Sequence, residues 1–256
     1  EEKVNSNSLS DAVKRGWATG RGMYLLAFQL FQDAGLRPRI VYVADRFDRL
    51  VQGSNCNIFQ FNHLLLGIDV DRKPLLCLDP EDRTLPNGAV LGKFQGTLAM
   101  EVLSDSWSMV PVAVPEMKAS QNLRHYSFKH SLSEGKWDLR FDGDFQGLPE
   151  RAERDNYFKL SPPAQEDFLK KSFEASHKDW VVKKTQVLDA TSLRKPLGLS
   201  VTAEREYEDG RRIEIPPFPG MPSALYIPDD LAPTRQVPIS FTYAFTQKAE
   251  ATITLP

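Results

Sequence analysis

One short stretch of the chain, FQFNHLLLGIDVDRKPLLCLDPEDRTLP at residues 59–86, contains a histidine and an aspartate that could serve acid–base chemistry. Two apolar runs flank DVDRKP, which predicts an antiparallel hairpin with its turn near Asp71 and Arg72. If the turn is centred on Asp71, His63 lies directly opposite Asp79 on one face, with Cβ atoms about 5 Å apart. We therefore predict an imidazole–carboxylate contact. The alternative interpretation is that each side chain only satisfies a local hydrogen bond.

The elements that must position this pair come before it in the chain. Helices are predicted at residues 9–17 and 22–35, and RIVYVAD at residues 39–45 reads as a strand. Apolar residues occupy nearly all sides of the second helix between Met23 and Phe31. We therefore expect it to be a buried central helix.

The second half of the chain has a different pattern. From about residue 104 it alternates apolar and polar residues in strands, interrupted by one amphipathic helix at about 163–180. The strands are expected at RHYSFKHSLS, KWDLRFDGDF, WVVKKTQVLDAT, LGLSVTAEREY and VPISFTYAF. The predicted fold class is α+β, with domains at 1–103 and 104–256, the second an antiparallel β-rich domain carrying one packed helix.

Composition excludes several function classes. The chain has 256 residues and a formal net charge of −2, so it offers no electrostatic case for nucleic acid. It has no run of about 18 apolar residues, so no membrane span is expected. Two cysteines, Cys56 and Cys77, are too few for a disulfide framework and leave the redox compartment open. The first residues, EEKVNSNSLS, lack an initiator Met and a signal-peptide pattern, which suggests a cut inside a longer protein.

The segments DAGLRPRIVYV and FNHLLLGIDVDRKPLLCLDP resemble the transglutaminase-like superfamily of papain-type folds. In that superfamily the core contains, in chain order, a helix that begins with the nucleophile, a strand with a histidine and a strand with an aspartate. LPNGAVLGKFQGTLAMEV and MPSALYIPDDLAPTRQVPISFTYAF…ATITLP look like a bacterial branch in which an uncharacterised N-terminal domain precedes this core and a β-rich region follows. The resemblance is strongest over 16–103 and 221–256. It implies that this chain is the C-terminal portion of such a protein, with a partial core, in an extracytoplasmic location.

By this resemblance, His63 and Asp79 take the positions of the superfamily's histidine and acidic partner. The nucleophile should be a cysteine at the start of the buried helix, where the helix N-terminus and an imidazolium stabilise a thiolate. Gly20 occupies that position instead, and RGWATGRGM contains no cysteine.

Three residues could replace the missing nucleophile. Thr19 is adjacent, but a threonine before a helix usually acts as an N-cap. Cys77 shares a face with His63 but would be about 7 Å or more away, and fits better as a small core residue. Cys56 precedes His63 by seven residues, about 23 Å of extended chain. None has suitable geometry, so the pair is predicted to have no nucleophile to serve.

No metal or cofactor site is predicted. His125 and His130 are five residues apart in a strand and so point to opposite faces. Asp142 and Asp144 flank a glycine in FDGDF, which favours a turn over a calcium loop because further oxygen ligands are missing.

Two function classes remain open. The first is a non-catalytic transglutaminase-like module, a scaffold or binding domain of a larger bacterial protein that binds an unidentified protein or peptide. The second is an active cysteine-protease-like or transglutaminase-like acyl-transfer enzyme that uses Thr19 or a repositioned thiol, with His63 as base and Asp79 orienting it. The oligomeric state and the ligand do not follow from the sequence.

Overall fold

Two compact units, Glu1–Lys118 and Ala119–Pro256, make up the chain in the computed structural model. Among the described residues, each unit contains two α-helices and one five-stranded sheet, so the predicted α+β class is confirmed. The first unit extends beyond residue 103 because a strand at 109–113 completes its sheet. The structure describes residues 9–15, 18, 20–48, 51–52, 57–69, 76–86, 88–102, 109–133, 135–206 and 243–255.

The first unit has two helices beside an antiparallel sheet. The helices are α1 (Leu9–Arg15) and α2 (Gly20–Asp33). The strands are β1 (Pro38–Val43), β2 (His63–Ile68), β3 (Leu76–Leu78), β4 (Leu98–Val102) and β5 (Met109–Ala113). Their order is β3-β2-β1-β4-β5, with every pairing antiparallel. A core on one face of the sheet contains Val41, Val43, Leu65, Cys77, Val90, Phe94, Ala99 and Val114.

The helix α2 ends at a glycine cap and packs on the sheet through one side. Gly35 has a φ of 77°, and the amide of Leu36 donates to the carbonyl of Phe31 at 2.9 Å, which closes the last turn. The expectation of a buried central helix is wrong for the described side chains. Tyr24 is buried, whereas Leu25 and Leu30 are 55% and 58% exposed, because the sheet covers only the Tyr24 side.

The hairpin register differs from the predicted one by two residues. Gly67 pairs with Cys77 and Leu66 with Leu78, so paired residue numbers sum to 144 rather than 142. The prediction that His63 lies directly opposite Asp79 is therefore wrong. A shift of two residues keeps every side chain on its predicted face, because faces alternate with a period of two. The turn at 70–75 lies outside the described residues.

The second unit is a sheet with two helices. Its elements are β6 (Leu123–Ser133), β7 (Lys136–Gln146), α3 (Leu148–Tyr157), α4 (Pro162–Ser176), β8 (Val181–Leu188), β9 (Leu197–Glu206) and β10 (Thr246–Thr254). The strand order is β10-β6-β7-β9-β8. The edge strand β10 runs parallel to β6, which departs from the expected all-antiparallel sheet. Of the strand expected at 237–245, residues 237–242 lie outside the described ranges and the rest precede β10.

Two further predictions need correction in the second unit. The structure has α3 in addition to the predicted helix, which ends at Ser176 rather than residue 180. FDGDF lies inside β7 and is not a turn, since Gly143 pairs with both neighbouring strands. A Cβ on Gly143 would lie 3.2 Å from the Phe141 ring and 3.3 Å from the Phe145 ring, so glycine lets both rings pack over the strand.

A fully buried arginine connects α3 to the loop between β8 and β9. The Arg154 guanidinium donates to Glu150 Oε1 at 3.1 Å, to the carbonyl of Lys195 at 2.7 Å and to the carbonyl of Asp189. Burial raises the pKa of Glu150, although the hydrogen bond from Arg154 opposes this shift. The guanidinium and the carboxylate therefore need each other to remain buried.

We expect Arg154→Ala to lower the free energy of unfolding by about 3–5 kcal/mol, because it leaves the Glu150 carboxyl buried without its cation. Urea unfolding followed by the fluorescence of the buried Trp137 and Trp180 would measure this loss. Arg140→Ala is the matched control, since Arg140 pairs with Asp142 at an exposed position of β7 and should matter much less. Equal losses for the two variants would contradict the prediction.

Candidate functional site

His63 and Asp79 meet beside the start of α2. His63 is the first residue of β2, opposite Val43 at the end of β1, and Asp79 immediately follows β3. The predicted contact is present: His63 Nε2 lies 2.8 Å from Asp79 Oδ2. The Asp79 side chain is 3% exposed and that of His63 is 24% exposed, so the pair is reachable from solvent through the imidazole.

Tyr24 is a third member of the site that sequence reasoning missed. Its hydroxyl donates to Asp79 Oδ1 at 2.8 Å and lies 3.4 Å from His63 Nε2. Tyr24 follows Gly20 by four residues, so both lie on the same face of α2, and this spacing was the available signal. Phe94 stacks on the face of the imidazole, with ring centroids 4.7 Å apart. The His63 ring is thus held by the sheet, the helix and a loop.

The Asp79 carboxylate is kept ionised by its neighbours. Burial by itself would raise the pKa of Asp79, but the hydrogen bonds from His63 and Tyr24 bring it below the usual value. The backbone amide of Glu81 adds a further donor, 3.1 Å from Oδ1. Burial, followed by the nearby Asp79 charge, raises the pKa of Tyr24, so the phenol stays protonated and acts as a hydrogen-bond donor.

Gly20, the residue predicted to occupy the nucleophile position, is the first residue of α2 and lies against Glu81. A Cβ on Gly20 would overlap Glu81 Oε1. The first turn of α2 has no acidic residue of its own, so the Glu81 carboxylate supplies negative charge beside the start of this helix. The space next to Gly20 is therefore occupied by a carboxylate.

Of the other suggested nucleophiles, the one that the structure describes, Cys77, does not join the pair. Cys77 is 1% exposed in the sheet core, and burial raises the pKa of its thiol to about 12, which disfavours the thiolate. Thr19 and Cys56 lie outside the described residues. Among the residues described, the hydroxyl that reaches His63 is that of Tyr24, which the site keeps protonated.

The two histidines of β6 do lie on opposite faces, as predicted. His130 is buried and accepts a hydrogen bond from Trp137 Nε1 at 3.1 Å. His125 faces the other side, 3.7 Å from Asp144 and 3.8 Å from Glu250. The two histidines therefore cannot bind the same metal ion.

Comparison with family models, with curated proteins and with solved structures found no match to this chain. The transglutaminase-like assignment therefore stays a prediction. In the described part of the chain, each helix is too short or too polar to cross a membrane.

We expect Asp79→Asn to lower the free energy of unfolding of the first unit by about 1.5–3 kcal/mol at pH 7. The substitution replaces a charged hydrogen-bond acceptor by a neutral amide, which weakens the hydrogen bonds that the carboxylate accepts. The folded pKa of Asp79 lies below the unfolded value of about 3.9. Its stabilisation is thus complete above that unfolded value and disappears as the pH falls through the folded pKa. The difference in the free energy of unfolding between variant and parent should therefore shrink between about pH 5 and pH 2, roughly the range over which such a carboxylate titrates.

Urea unfolding followed by pulsed hydrogen exchange of β1 and β2 peptides would report on the first unit alone. Asp33→Asn, at the exposed end of α2, is the control and should change stability by at most about 0.5 kcal/mol. A stability difference for Asp79→Asn that does not change with pH would show that its charge is irrelevant to folding.

Proposed function

We propose that the first unit is a non-catalytic transglutaminase-like module of papain type, a scaffold or binding domain of a larger bacterial protein. The element order supports this proposal, since a helix that begins at Gly20 is followed by a strand with His63 and a strand followed by Asp79. The extracytoplasmic location and a protein or peptide partner rest on the sequence resemblance alone.

The observation that carries the proposal is the contact between Gly20 and Glu81. An acyl-transfer enzyme needs a thiol or hydroxyl at this place, deprotonated with help from the histidine. Here residue 20 has no side chain, and a carboxylate takes the adjacent space. A neighbouring negative charge raises the pKa of a thiol, so Glu81 also opposes the chemistry that this position supports in the superfamily.

An acyl-transfer enzyme with an atypical nucleophile is the second candidate function. The observation that favours it is the retained 2.8 Å contact between His63 and Asp79, the orientation that a general base requires. This function would need Thr19 or another group to approach His63 during the reaction.

We expect the unmodified chain to hydrolyse no peptide amide, and a thiol introduced at residue 20 to become reactive once Glu81 is neutralised. In a Cys56→Ser background, Gly20→Cys combined with Glu81→Gln should have a thiol pKa below the free-cysteine value of about 8.5, because the start of α2 and His63 stabilise the thiolate. With Glu81 present, the thiol pKa should be higher. The rate of iodoacetamide labelling, measured as a function of pH in the presence of a metal chelator, would give both thiol pKa values.

His63→Ala, added to the double variant, is the control and should remove most of the enhanced labelling. Peptide hydrolysis by the unmodified chain that His63→Ala abolishes would overturn the non-catalytic proposal. A thiol at residue 20 that titrates like free cysteine in every variant would show that Gly20 does not occupy the nucleophile position.

A further inference from the structure

The site contains a mixed set of metal-binding donors. A ring nitrogen of His63 and one carboxylate oxygen from each of Asp79 and Glu81 lie within 4.8 Å of one another. Imidazole and carboxylate groups are the nitrogen and oxygen ligands of zinc and related divalent ions. We propose that His63, Asp79 and Glu81 bind a divalent transition ion of the zinc class. The proposal does not rest on the proposed function of the module.

The charge balance of the site favours a cation. The Asp79 carboxyl group is buried, and Glu81 brings a second carboxyl group to the same place. Within the described ranges, no lysine or arginine forms an ion pair with either carboxylate. A divalent ion would offset both.

The geometry requires little movement. Zinc binds nitrogen and oxygen at about 2.0–2.2 Å, so its donors lie about 3–3.5 Å apart. The His63 and Asp79 donor atoms are already 2.8 Å apart. Glu81 is exposed, so its side chain is free to adjust, and the missing Cβ of Gly20 leaves room for its carboxylate.

Two contacts would hold the ligands in place for an ion. Tyr24 donates to Oδ1 of Asp79, which leaves Oδ2 to face the histidine and the ion. Phe94 stacks on the His63 ring and fixes its plane. Such contacts orient ligands before the metal arrives and raise affinity. Three protein ligands would leave a fourth position open to water or to a partner's side chain.

Calorimetric titration of the chelator-treated full chain with Zn²⁺ should give one ion bound per chain at this site. His63→Ala and Glu81→Gln should each weaken binding at least about 10-fold, since even residues that only orient a ligand contribute 10–100-fold. The Co²⁺-loaded chain should show a visible absorption spectrum that His63→Ala removes. His125→Ala is the matched control, because it removes a histidine that also lies between two carboxylates, and it should leave the affinity unchanged.

Failure of the unmodified chain to bind Zn²⁺ would overturn the metal site, as would binding that is equally strong in His63→Ala and Glu81→Gln. Binding lost in His125→Ala but kept in the other variants would place the ion in the second unit and also overturn it. The thiol-labelling experiment contains chelator, so its outcome and this one are independent.

Discussion

The first unit depends on the buried carboxylate of Asp79. A charge removed from water is tolerated only where donors replace the lost hydration. Those donors come from separate elements: Tyr24 from α2, His63 from β2 and the backbone amide of Glu81 from the segment after β3. One carboxylate therefore fixes the helix against both strands of the hairpin. The same contacts align the imidazole, so the arrangement needed for folding and the arrangement of the site coincide.

The second unit uses buried polar groups in the same way. Arg154 fastens α3 to the loop after β8 through two backbone carbonyls. Asn122 accepts from the amide of Leu148 at 3.0 Å and donates to the carbonyl of Ala244 at 2.8 Å, so it joins α3 to the segment before β10. Apolar burial supplies most of the stability of such units, but it has no preferred direction. The directional hydrogen bonds of these groups select one arrangement of the elements.

The site shows how one geometry could serve a different chemistry. A histidine oriented by a carboxylate becomes a base only if a nucleophile lies beside it. In this chain Glu81 lies beside Gly20, and its carboxylate joins His63 and Asp79 in a group of possible metal ligands. Both proposals thus involve Glu81, whose carboxylate lies beside Gly20 and close to His63 and Asp79.

The sequence by itself located β1, β6, β7, β8 and β9 and the faces that their residues share, but it did not predict β4, β5 or β10. Alternation placed β6 and β7 correctly and put His63 and Asp79 on one face, a result that survived the register error because the error was two residues. The amphipathic pattern also located α4, but the charged segment of α3 carries too weak an apolar pattern to predict a helix.

Tertiary structure alone decided the register, the exposure of α2 and the neighbours of the pair. Register depends on turn geometry, and the exposure of α2 depends on what packs against it, so neither is set by local pattern. The contacts of Tyr24 with Asp79 and of Gly20 with Glu81 join residues far apart in the chain. The parallel pairing of β10 with β6 likewise brings together segments separated by more than one hundred residues, supported by the bond from Asn122 to Ala244 across 122 positions. Such contacts form only when the whole unit folds, because each needs a surface that no single segment contains.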